Sequence, residues 1–235
     1  MKLVLLPGMD GTGELFSEFI AALPEPFEAV TVSYPAERYL PYSELENYVR
    51  AACPVSEPYM LVAESFSTPL AIQYAATNPA NLAGLVLCAG FATSPVRGWR
   101  RLLDCCLAPL VFRVPLPNLS AKIWLVGPDA PTSLLTAVRG ATSSVQPGVL
   151  AARLRAVLYC EVRADLNQIA VPILYLQAKG DRLVSASCLE EVRRIKPQVK
   201  VASLEGPHLL FQRQPQTAAE AVVKFARSCR PPVMA

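Results

Sequence analysis

Apolar positions along this chain gather in short continuous runs, and the stretches between them carry helical spacing. Six runs read as strands: 2–6, 29–33, 59–63, 82–89, 172–177 and 200–204. Helical patterns follow most of them, at 14–22, 42–52, 67–77, 187–195 and 218–228. Strands alternating with helices predict an α/β fold with a six-stranded parallel sheet covered on both faces. Such sheets take their ligands at the carboxyl ends of the strands. One segment breaks the alternation. Residues 91–170, after the fourth strand, are proline-rich and hold apolar helical material at 99–111, 121–124 and 149–162. A structureless loop of that length is disfavoured. The expected organisation is a core of 1–90 and 171–235 with a helical cap, 91–170, inserted over the edge where the strands end.

Composition narrows the classes. Of 235 residues 52% are hydrophobic and 17% charged, which suits one large buried interior. A net charge of +3 is too small to argue for nucleic acid. Its distribution is uneven: from Phe91 to Cys160 eight basic residues face two acidic ones. A solvated surface is the ordinary reading of that excess, and an acidic or acyl-carrier-bound substrate is the sharper one. Seven cysteines without regular spacing do not form a disulfide framework. No apolar run reaches the length of a membrane span or a signal peptide, so a cytoplasmic chain is expected. A single histidine and no paired cysteine spacing argue against a zinc site.

Chemistry concentrates where the third strand ends, in YMLVAESFSTPLA. Proline is tolerated only in the first turn of a helix. A helix carrying Pro69 therefore begins near 66–68 and leaves Ser65 on the turn itself. With Ala63 and Ser67 small on either side, the pattern is that of a nucleophile elbow. A serine needs a base, and the base an orienting acid. The only histidine, His208, follows the sixth strand in LEGPHLLFQ, and Asp181 follows the fifth in QAKGDRLVS. Alone, Ser65 reads more simply as a helix cap, His208 as a structural or surface histidine and Asp181 as a turn residue. Together they place Ser65, Asp181 and His208 on one sheet edge. The loop LPGMDGTG after the first strand lacks the spacing of a dinucleotide site and the lysine of a P-loop. It reads as a flexible loop whose backbone N–H groups approach a developing oxyanion.

These segments resemble the α/β-hydrolases, in particular small capped carboxylesterases of the pimeloyl-ACP methyl ester esterase kind. The chain order Ser, Asp, His is the order of that superfamily. The resemblance implies an ester hydrolase that works through an acyl-enzyme without a cofactor, on a small-molecule ester. It implies Ser65 as nucleophile, His208 as base and then acid, and Asp181 as its orienting partner. The backbone N–H groups of Met9 and Phe66 would form the oxyanion hole. The chain departs from the pattern in three ways. Ala63 and Ser67 stand where glycines are usual, Pro7 replaces a frequent histidine, and the family's first two strands have no counterpart.

Other residues receive lesser roles. Glu64 is expected to point away from the site, into solvent or a surface ion pair. Asp165, on a helical pattern, is a second choice for the acid. Asp10 is expected to shape the oxyanion loop or cap a helix. Leu107, Val111 and Trp124 of the cap are candidates for an apolar acyl pocket, against the simpler reading of helix packing. The same scaffold also supports lyases, cofactor-free perhydrolases and non-catalytic ligand-binding proteins.

Overall fold

A computed structural model describes residues 1–96, 112 and 118–229. Its centre is a sheet of six parallel strands in the order β2-β1-β3-β4-β5-β6. These are β1 (Lys2–Leu6), β2 (Glu28–Thr31), β3 (Tyr59–Glu64), β4 (Leu82–Cys88), β5 (Ile173–Ala178) and β6 (Lys200–Leu204). Every residue of β3 and β4 is buried, as expected of central parallel strands, and the carboxylate of Glu64 at the end of β3 is buried with the apolar run before it. The edge strands β2 and β6 are half-buried or exposed at every position.

Helices α1 (Ser17–Ala21), α2 (Tyr42–Ala52) and α3 (Ser67–Ala76) connect the first four strands. The chain between β4 and β5 contributes α4 (Thr132–Ser143), α5 (Pro147–Leu158) and α6 (Arg163–Gln168), and α7 (Ala186–Ile195) and α8 (Pro215–Ser228) complete the core. One face of the sheet packs on α2, α3, α6 and α7 through Leu45, Val49, Leu70, Leu166, Leu189 and Val192. The other packs on α1 and α8 through Phe19, Ala218, Val222 and Phe225.

Helix α8 starts at Pro215, ahead of the expected 218, because a proline fits the first turn while the apolar spacing begins only at Ala218. Helix α4 was hidden in the sequence. It is rich in Ser and Thr and buries only Leu135, Val138 and Ala141. Of the expected insertion helices, 149–162 is met by α5, which ends at Leu158. At 121–124 the chain forms a helical turn, Asn118–Ala121, that runs into a π-helical one, Lys122–Val126. The expected helix at 99–111 lies outside the described residues.

Candidate active site

Ser65 sits between β3 and α3 with φ 48°, a left-handed conformation that a non-glycine residue adopts only at a cost of about 1–3 kcal/mol. Three bonds enforce it: the Ser65 N–H donates to Cys88 O at 2.9 Å, and the Ser65 carbonyl accepts from Thr68 N–H at 2.9 Å and from Thr68 Oγ1 at 2.8 Å. Pro69 falls within the first turn of α3, so the turn is confined to Ser65 and Phe66. The serine is thereby held out at the carboxyl end of β3.

His208 follows β6 and Asp181 follows β5. His208 Nε2 lies 2.9 Å from Ser65 Oγ, and His208 Nδ1 lies 2.8 Å from Asp181 Oδ2. The side chains of His208 and Asp181 are 5% and 3% exposed, so their contact is shielded from water. Asp181 Oδ1 accepts the N–H groups of Leu183 at 2.8 Å and Val184 at 3.0 Å, which leaves Oδ2 for the imidazole. The two loops are tied by Gly180 N–H donating to Gly206 O at 2.8 Å. A Cβ at Gly180 would stand 2.8 Å from that same oxygen, which is why a glycine precedes Asp181. Burial pushes the His208 pKa down, but the hydrogen bond and charge of Asp181, joined by the charge of Glu64, outweigh it and raise the pKa above its ordinary value. Asp165, the second choice for the acid, lies on α6.

The loop after β1 is braced where its glycines suggest flexibility. Ser67 Oγ donates to the Pro7 carbonyl. Gly11 N–H donates to Gly8 O at 3.1 Å. Asp10 Oδ2 takes the N–H and the hydroxyl of Thr12 at 2.9 and 2.6 Å, so Asp10 shapes the loop. Gly11 adopts φ 69° and Gly13 φ 79°, conformations that favour glycine. Among the described residues, neither the Met9 nor the Phe66 N–H has an acceptor, as an oxyanion hole requires.

Two residues differ from the expectation. Glu64 is 1% exposed and buried, not solvated. It alternates with Met60 and Val62 on β3 and so points toward the α8 side of the sheet, where the Gln212 amide donates to it. Burial pushes its carboxyl up to about 7. Arg153, counted with the basic surface of the insertion, is 2% exposed and reaches the loop after β1. Charge counting cannot separate such a residue from a solvated one.

Of the pocket candidates, Leu107 and Val111 lie outside the described residues. Trp124, on the π-helical turn, is 42% exposed. Its neighbours Lys122 and Ile123 line a groove of about 640 Å³ with Pro207, Arg213 and Gln214. Among the described residues, no cluster of His, Cys, Asp or Glu is placed to hold a metal ion, and no helix is long and apolar enough to cross a membrane.

No family model and no curated protein matches the sequence. Solved structures do. A thermophilic esterase from Thermogutta terrifontis superposes with TM-score 0.81 at 19% identity, over 97% of this chain and 90% of that one. A bromoperoxidase from Bacillus anthracis gives 0.80 at 17%, over 96% and 91%. A membrane phospholipase A described as a bacterial virulence factor gives 0.77 at 22%, over 97% and 78%. The common fold is that of the α/β-hydrolases.

Proposed function

We propose that this α/β-hydrolase-fold chain is a serine hydrolase that cleaves a carboxylic ester through an acyl-enzyme. The observation that carries the reading is His208, whose two ring nitrogens bridge Ser65 Oγ at 2.9 Å and Asp181 Oδ2 at 2.8 Å. In this reading Ser65 Oγ attacks the ester carbonyl as its proton passes to His208 Nε2. Asp181 holds the Nδ1–H tautomer and stabilises the imidazolium. The oxyanion of the tetrahedral intermediate is taken by the N–H groups of Met9 and Phe66. Collapse breaks the ester bond, and His208 returns the proton to the departing alkoxide. Water, deprotonated by His208, then releases the acid and restores Ser65.

The likeness to a protein named esterase supports an ester as substrate class, and the insertion beside the site supports a small-molecule acyl pocket formed in part by 91–170. The insertion's basic excess supports an acidic or carrier-bound ester, and the cysteines support a cytoplasmic setting: none of the five described ones is in a disulfide. The test is hydrolysis of p-nitrophenyl esters of graded acyl length by the native chain and by Ser65→Ala. Turnover by the native chain and its loss in the folded variant are expected, and equal turnover by both would refute the assignment. The likeness to a protein named bromoperoxidase favours one second reading, in which hydrogen peroxide replaces water in the second half-reaction and releases a peracid. Peracid formation exceeding hydrolysis in an acetate–peroxide assay would select it.

A further inference from the structure

Four consecutive carbonyls of the loop after β1 are each held by a donor. Pro7 O is taken by Ser67 Oγ and Gly8 O by Gly11 N–H. Met9 O and Asp10 O are both taken by Arg153 Nη1, at 2.9 and 2.7 Å. The N–H of a peptide points opposite to its carbonyl, so fixing Gly8 O aims the Met9 N–H, and fixing the next two carbonyls keeps that turn from rotating. Arg153 comes from α5, 144 positions away in sequence. Its second nitrogen, Nη2, donates to Pro35 O at 3.0 Å, anchoring the guanidinium to the segment that follows β2.

The same guanidinium reaches the other side of the site. Its carbon stands 5.8 Å from the centroid of the Phe66 ring and 5.8 Å from that of Tyr34. Phe66 also supplies the second proposed oxyanion donor, and Tyr34 hydrogen-bonds Ser67 Oγ at 2.8 Å. Gly11 is what admits the group, since a Cβ there would stand 2.5 Å from Arg153 Nη1. No carboxylate pairs with Arg153 among the described ion pairs, so this buried cation is satisfied by carbonyls and aromatic faces. A planar fork of donors suits that task as a lysine ammonium does not.

We infer that Arg153 is a positioning residue for the oxyanion hole: one guanidinium, delivered by the insertion, sets the relative placement of the two residues, Met9 and Phe66, that supply its donors. The inference rests on the proposed esterase chemistry, and it makes the insertion part of the catalytic apparatus as well as a cover. Arg153 touches no substrate atom in this account and acts through the loop.

The test compares native chain, Arg153→Met and Arg153→Lys, with active sites titrated by a fluorophosphonate. For p-nitrophenyl butyrate, Arg153→Met is expected to lower kcat per titrated site roughly 10- to 100-fold with KM little changed, the loss that a small misplacement of a catalytic group produces. Affinity for an alkyl trifluoromethyl ketone, whose adduct carries the oxyanion, should weaken by the same factor. Arg153→Lys should fall between the two. A lower melting temperature with native kcat and native ketone affinity would reduce Arg153 to a structural brace and overturn the inference. Should Arg153→Met fail to fold, Arg153→Lys carries the test alone, and native behaviour in it overturns the inference. A native chain that cleaves no ester defeats the proposed function instead. In that case hydrogen exchange still reads the loop: the Gly11 and Thr12 amides should exchange faster in the variants, and unchanged exchange overturns the positioning role.

Discussion

Ser67 ties the Ser65 turn to the loop after β1, because its hydroxyl donates to the carbonyl of Pro7, sixty positions earlier in the chain. The serine is fully buried and accepts in turn from Tyr34 Oη at 2.8 Å. It stands where relatives of this fold usually carry glycine, so the departure from the usual frame supplies a strut instead of weakening the turn.

Replacing Ser67 by alanine or glycine leaves the Pro7 carbonyl and the Tyr34 hydroxyl buried without their partner. Each orphaned group costs about 1–3 kcal/mol. For a chain of this size, the low end for two such groups, about 2 kcal/mol, already lowers the melting temperature by about 4–8 °C. Thermal denaturation should show that fall for both variants, with kcat reduced several-fold. Ser67→Gly matches the family pattern, so a gain in stability or rate from it would contradict the strut.

Asp181→Asn should cost about 10⁴-fold in kcat with the fold intact. The amide oxygen is kept by the Leu183 and Val184 N–H groups, so its NH₂ faces His208 Nδ1. That contact forces the proton onto Nε2, the nitrogen that must accept one from Ser65. Steady-state kinetics with a circular dichroism control checks it.

Gly180→Ala drives a Cβ to 2.8 Å from the Gly206 carbonyl, a backbone atom that cannot swing aside. The loops carrying Asp181 and His208 must separate. A loss of about 1–3 kcal/mol in stability is expected from such overpacking, together with at least a tenfold fall in kcat. Denaturant unfolding and ester turnover measure the two.

The pH dependence has a definite sign. His208 must be neutral to act as a base, and its pKa is raised, so kcat/KM should rise with pH through a midpoint above the ordinary 6.5. Glu64→Gln removes one of the charges that raise it and should move that midpoint to lower pH. Glu64 also affects stability. Its carboxyl titrates near 7 in the folded chain against an ordinary 4.5, so its support is complete below about 4.5 and is lost as pH rises to about 7. His208, also raised, adds to the same fall and persists in the variant. Melting curves from pH 4 to 8 should therefore flatten in Glu64→Gln without becoming level.

The strands, the elbow and the approach of Ser65, Asp181 and His208 could be read in sequence because each has a local signature. Apolar runs mark buried strands, Pro69 fixes a helix start, and a lone histidine has few rivals. Glu64 was misread because nothing in A-E-S-F-S reveals the face of the sheet on which its side chain lies; the alternation with Met60 and Val62 does, once β3 is extended to Glu64. Helix α4 escaped because its three buried positions are diluted by Ser and Thr. Arg153 escaped because its partners, three carbonyls at Met9, Asp10 and Pro35, have no side-chain identity and lie 144 to 118 positions away.

The most direct test of the central claim is where a fluorophosphonate becomes attached. The native chain should gain the mass of one phosphonyl group, and peptide mapping should place it on Ser65, with no adduct in Ser65→Ala and strongly slowed labelling in Asp181→Asn. A native chain that stays unmodified, or an adduct mapped to another residue, would contradict the account.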